Sequence, residues 1–171
     1  MGDKIEQDDL NMLLDDACAY DDIDHVKFLI KKGAMVNVDS LFVFTPLHIA
    51  CGYGQTDIVK LLLDNNAYVN IFDENGDAPL HIACVYGRIK VVELLINAGA
   101  DVNIEDAYGW TPLYVACLYN YKDIVQLLLE KDVNVNVISR SGKTALSNAW
   151  EKGHAEIAKL LEEHIKNKER K

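Results

Sequence analysis

The apolar positions of this chain recur at a fixed interval. Leu14, Leu47, Leu80, Leu113 and Leu146 stand 33 residues apart, and so do Ala17, Ala50, Ala83, Ala116 and Ala149. Between these columns the apolar residues fall at helical spacing. Ile58-Val59 with Leu61-Leu62-Leu63, and Val91-Val92 with Leu94-Leu95-Ile96, each form one apolar face with polar residues opposite. Such a face must be buried against a neighbour, so no unit is stable alone, and a repeat of this length predicts a stack of similar units.

Asp73 to Asn103 is the clearest copy. Asp73 to Gly76 is a turn signal, Pro79 stands at a first helical position, and Leu80 to Tyr86 reads as a short helix ended by Gly87. A second helix spans Ile89 to Ala98, Gly99 stops it, and Asp101-Val102-Asn103 forms an extended arm. Applied along the chain, the pattern predicts an all-α solenoid of five helix-turn-helix units, near 8–38, 39–71, 72–104, 105–137 and 138–165, with a charged tail at 166–171. The first and last units read as caps. Asp8 or Asp9 is expected to cap the first helix, and Asp15, Asp16, Asp21, Asp22 and Asp24 to give the first unit a polar surface. The helix-stop column reads Gly33, Asn66, Gly99, Asp132, residue types that tolerate a left-handed backbone.

Composition narrows the function. The net charge of −10 argues against a partner bound through phosphates. No run of eighteen apolar residues is present, and the charged MGDKIEQDD start does not read as a signal peptide, so an intracellular, cytoplasmic location is expected, with no membrane partner. Cys18, Cys51, Cys84 and Cys117 share one column; stacked units separate them by roughly 10 Å, beyond disulfide reach. They read as small buried residues. His48 and Cys51, like His81 and Cys84, have helical spacing, but two ligands per unit do not close a metal site, so no metal or other cofactor is expected. No nucleophile elbow or phosphate loop appears, which leaves an enzyme reading without support.

Thr45-Pro46-Leu47-His48-Ile49-Ala50, with the variants Ala78-Pro79-Leu80-His81-Ile82-Ala83 and Thr111-Pro112-Leu113-Tyr114-Val115-Ala116, resembles the Thr-Pro-Leu-His-x-Ala signature of ankyrin repeats. The Asn37, Asn70, Asn103, Asn136 column and the 33-residue period strengthen the resemblance, which covers about residues 8 to 165. It implies stacked helix pairs with projecting hairpins, a concave surface that binds other proteins, and structural roles for His48 and His81. The departures are Ala78 for the capping Thr, Tyr114 for His, Ala145-Leu146-Ser147 in the last unit, and Val43 where the turn wants Gly.

Residues that the repeat leaves free are the candidates for partner binding. The resemblance puts the column Tyr20, Tyr53, Tyr86, Tyr119, together with Leu118, at the concave side. The turns add Leu41, Phe42, Phe44, Phe72, Tyr108 and Trp110 among acidic Asp39, Glu74, Asp77 and Glu105. Aromatic side chains beside acidic groups suit binding hot spots, whereas the alternative packs each tyrosine ring onto the adjacent repeat. The apolar run Leu41 to Phe44 also suggests weak self-association through that hairpin. The expected function is therefore a non-catalytic protein-binding module. Variants of that reading are a stoichiometric inhibitor or regulator of an enzyme or transcription factor, or an engineered binder. The rival class, a small-ligand-binding protein or enzyme, requires a deep pocket with perturbed ionisable groups.

Overall fold

The computed structural model describes residues 6–37 and 44–170. Among them run ten helices and no strand: α1 (Gln7–Ala19), α2 (Ile23–Lys31), α3 (Pro46–Tyr53), α4 (Thr56–Asp64), α5 (Pro79–Val85), α6 (Ile89–Asn97), α7 (Pro112–Leu118), α8 (Lys122–Leu129), α9 (Ala145–Glu151) and α10 (Ala155–Glu169). Each odd-numbered helix packs on the even-numbered helix that follows it. The odd-numbered helices also pack on one another in sequence, as do the even-numbered ones, so two parallel rows build the solenoid.

The repeating apolar columns are its core. Leu14, Leu47, Leu80 and Leu113 are buried, and the alanine column lets the first helices approach closely. Each buried leucine contributes about 1.5 to 3 kcal/mol from apolar area. The ends of the stack lack one neighbour, and the columns emerge there. Met12 and Leu13 are exposed, although Thr45 with Pro46, and Ala78 with Pro79, are buried at the corresponding positions. Phe28 is exposed too, so the first unit has an outer surface that mixes acidic and apolar groups.

Three polar ladders staple the units together. In the histidine column, His48 Nε2 lies 3.0 Å from the Asp77 carbonyl and His81 Nε2 lies 3.0 Å from the Trp110 carbonyl. In the asparagine column, Asn37 donates to the Asn66 carbonyl while its Oδ1 accepts from the Tyr68 N–H, and Asn103 does the same with Asp132 and Asn134. A side chain amide can do both at once, which suits Asn to this position. The third ladder runs backwards. Gln55, Arg88 and His154 reach the carbonyls of Ala19, Gly52 and Leu118 at the end of the preceding first helix.

Helix ends follow the expected column with two corrections. Gly33, Asn66 and Gly99 are left-handed, and the next N–H in each case bonds back to Leu29, Leu62 or Leu95. Asp132 is not left-handed: Val133 N–H bonds instead to the Lys131 carbonyl at 2.8 Å. Here α8 ends a residue earlier than its counterpart α6, and the chain closes without a left-handed residue. At the other end of the chain, α1 begins at Gln7 with Glu6 at the N-cap, so Asp8 and Asp9 lie inside the first turn. There they interact with the positive end of the helix dipole instead of capping it.

Ala78 tests the capping chemistry. Thr111 and Thr144 accept the N–H of Tyr114 and Ser147 through their hydroxyls at 3.2 Å, whereas Ala78 has no side-chain acceptor and the His81 N–H turns to the Ala78 carbonyl at 2.8 Å. Asp77 does not substitute, because among the described residues no N–H of α5 bonds to its carboxylate. Ala78→Thr is therefore expected to stabilise the protein by about 0.5 to 1 kcal/mol in urea denaturation.

Candidate functional site: the concave face and hairpin tips

The tyrosine column is built by the turn that follows it. Tyr20, Tyr86 and Tyr119 are C-cap residues, and Tyr53 ends α3. The next residue in each unit, Asp21, Gly54, Gly87 or Asn120, has positive φ and reverses the chain. A ring attached at such a corner projects from the helix end. Tyr20, Tyr53, Tyr86 and Tyr119 are 84, 60, 56 and 48% exposed. Part of each ring nevertheless meets its neighbours: Tyr119 stacks on Tyr121, and the Tyr86 ring lies beside Gly52. Leu118 is half-buried beside Tyr119.

The hairpins rest on side-chain-to-backbone bonds. Asp73 Oδ1 accepts from Asn75 and Asp77 N–H, and Asp106 Oδ1 accepts from Tyr108 and Trp110 N–H, all at 2.8 Å. Their tips carry exposed Glu74 and Tyr108, with Phe72 and Glu105 exposed just before them. Trp110 is half-buried, because Tyr114 stands where the second and third units have histidine and stacks its ring on the indole at 5.2 Å. Phe44 meets His48 edge-on at 6.0 Å. Asp39, Leu41 and Phe42, and with them most of the 41–44 run, lie outside the described residues.

Two carboxyls stand out electrostatically. Burial, then the charges of Asp73 and Asp106, push the half-buried Asp77 up to about 7. Burial, then Asp16, push Asp15 up to about 6. Both framework histidines are held below the usual imidazole value, chiefly by burial. The Thr45 N–H and the Ala78 N–H donate to Nδ1 of His48 and His81, so each Nε2 carries the proton that the next carbonyl accepts. The four cysteines are free and buried, and burial pushes the Cys18 and Cys117 thiols up to about 12. Among the described residues no group of three or more His, Cys, Asp or Glu is placed to hold a metal ion, and no helix is long and apolar enough to cross a membrane.

A model of ankyrin repeats, three copies long, matches residues 14–106 and 99–171. The chain belongs to the ankyrin-repeat family. A search of curated proteins finds no match. Ankyrin repeats generally form protein–protein interaction modules, and the solenoid, its signature motifs and its hairpins are those of the family.

One feature of this ankyrin stack was not visible in the sequence columns taken singly. A cavity of about 510 Å³ opens between α1, α3 and α5, with Phe44, Tyr53 and Tyr86 at its edge. Its origin becomes clear when one column is followed through the stack. That column reads Ala19, Gly52, Val85, Leu118, so the face is hollow beside the first two units and filled beside the next two.

Proposed function

We propose that this ankyrin stack is a non-catalytic binding module that holds a protein partner across its concave face and hairpin tips. The observation that carries the reading is the exposed row Tyr53, Tyr86, Tyr119, continued by Tyr108 and Phe72 at the turns and bordered by Glu74 and Glu105. Large rings with two rotatable bonds bury much area for little lost entropy, and a framework stapled repeat to repeat needs little ordering on docking. The acidic border and the net charge of −10 favour a partner with a basic or mixed-charge surface.

Binding without catalysis suits the chemistry of the polar groups. Both nitrogens of His48 and of His81 are engaged by the backbone, and the thiols stay protonated behind buried surfaces. Four unpaired cysteines also suit a reducing, intracellular setting. Capture from a cell lysate with the wild-type protein and with a Tyr53→Ala, Tyr119→Ala variant tests the reading. Proteins retained by the wild type should fall by about tenfold or more with the variant, as loss of two interface anchors implies. The variant's urea midpoint should hardly move. Equal retention of every captured protein would overturn the assignment of this face.

A further inference from the structure

We propose that the cavity between α1, α3 and α5 is a subsite for a cationic side chain, a lysine or arginine of the protein partner. The inference rests on the protein-binding reading above and adds the chemistry of one anchor. In the internal units, the two positions that precede the alanine column on this face are His48-Ile49, His81-Ile82 and Tyr114-Val115; in the first unit they are Asp15-Asp16. That departure from the repeat sets two carboxylates side by side on one wall of the cavity. Asp15 Oδ1 is buried and has no hydrogen-bond partner, and neither carboxylate takes part in an ion pair among the described residues. A buried carboxylate oxygen without a donor is costly, and an incoming cation reduces that cost from within the cavity even without touching that oxygen.

The opposite edge suits the same occupant. Phe44, Tyr53 and Tyr86 offer aromatic surface, whose ring faces attract an ammonium or guanidinium group and whose area covers the methylene stem. At about 510 Å³ the cavity falls within the range of built ligand sites, roughly 300 to 1,000 Å³, and has room for a long side chain. Among the other polar groups of the lining, His48 has both nitrogens engaged by neighbouring groups, and Arg88 keeps its charge while its Nε–H bonds to the Gly52 carbonyl, so with Asp15 and Asp16 the lining carries a net negative charge that a further cation offsets. An apolar anchor would leave the two carboxylates desolvated and unpaired, whereas a cation compensates them.

The test uses two small probes, N-acetyl-lysine methylamide and its neutral isostere N-acetyl-norleucine methylamide, titrated into nitrogen-15-labelled full-length protein. The lysine probe should give saturable shifts at the backbone amides of Asp16, Gly52 and Tyr86, with an affinity at least about tenfold above that of the norleucine probe. Asp15→Asn with Asp16→Asn should abolish that preference. Gly52→Leu should abolish binding by filling the cavity. A Cβ at Gly52 meets nothing closer than 3.4 Å, and Leu118 stands at the same position two units on, so the column accepts leucine; an unchanged spectrum away from the cavity checks that the variant is folded. Equal affinity for both probes, shifts that survive Gly52→Leu, or no saturable shift would each overturn the proposal. Any of these results leaves the lysate experiment on Tyr53 and Tyr119 standing, so the two readings fail separately.

Discussion

Replacing His81 by leucine is expected to lower the unfolding free energy by about 1 to 3 kcal/mol, the cost of leaving one buried polar group, the Ala78 N–H, without a partner. The imidazole is buried and bridges two units. Its Nδ1 accepts the Ala78 N–H at 3.1 Å, and its Nε2–H donates to the Trp110 carbonyl at 3.0 Å. Leucine matches the volume but leaves the Ala78 N–H unsatisfied; the Trp110 carbonyl keeps the Asp106 N–H, yet the hairpin that begins with Asp106 loses a tether to the preceding helix. Tyrosine would not rescue it. Tyr114 replaces histidine one unit later only because Trp110 supplies a stacking partner, and the position before Ala78 holds Asp77 instead. The pH dependence gives an independent check. Burial lowers the folded-state pKa of His81 from 6.5, so the unfolded chain takes up the proton more readily. The histidine's contribution is therefore present above pH 6.5 and is lost as the pH falls through the folded-state value. The stability gap between wild type and His81→Leu should shrink in urea titrations on the acid side. A loss under about 1 kcal/mol at neutral pH would show that water or backbone movement satisfies the Ala78 N–H.

Most of the fold was legible because the repeat constrains many columns at once. Leu14, Leu47, Leu80 and Leu113 carry the core, and Gly33, Asn66 and Gly99 end the second helices, for reasons that act within one unit. The misses lie where several residues share a job. Asp132 has the right chemistry for a left-handed stop, as Asp21 shows, but the chain closes instead through the bond from Val133 N–H to the Lys131 carbonyl. The ladder through Gln55, Arg88 and His154 was hidden because three different side chains reach the same kind of carbonyl. The candidate site was legible as a set of columns and not as a surface. The letters alone left the tyrosines between core and surface, and only the corner made by Asp21, Gly54, Gly87 and Asn120 explains why their rings project. The hollow beside Gly52 needed the relative placement of three helices, since its volume belongs to the space between units.

Gly76→Ala should cost about 2 to 4 kcal/mol, and Gly142→Ala only about 1 kcal/mol, because the first substitution combines left-handed backbone strain with a steric clash and the second has the strain alone. The two glycines occupy the same position of hairpins two units apart, with nearly equal backbone angles, φ +77° and +78°. A methyl group on Gly76 would lie 2.8 Å from the Ala107 backbone nitrogen and 3.1 Å from its Cβ, whereas one on Gly142 would have no atom within 4 Å. Backbone cannot move aside as a long side chain can. Relief therefore requires the 73–77 hairpin to separate from the next one, which is linked in turn to the fifth unit by the bond from Arg140 N–H to the Tyr108 carbonyl. The comparison cancels the φ penalty and isolates the contact between neighbouring hairpins. Equal losses for the two variants in urea denaturation would mean that the hairpins flex independently. A larger loss for Gly76→Ala would mean that the tips bearing Glu74 and Tyr108 are held in register by direct contact. Rigid presentation to a partner depends on that register, so a variant that remains folded with its hairpins pushed apart should also bind more weakly through this edge of the face.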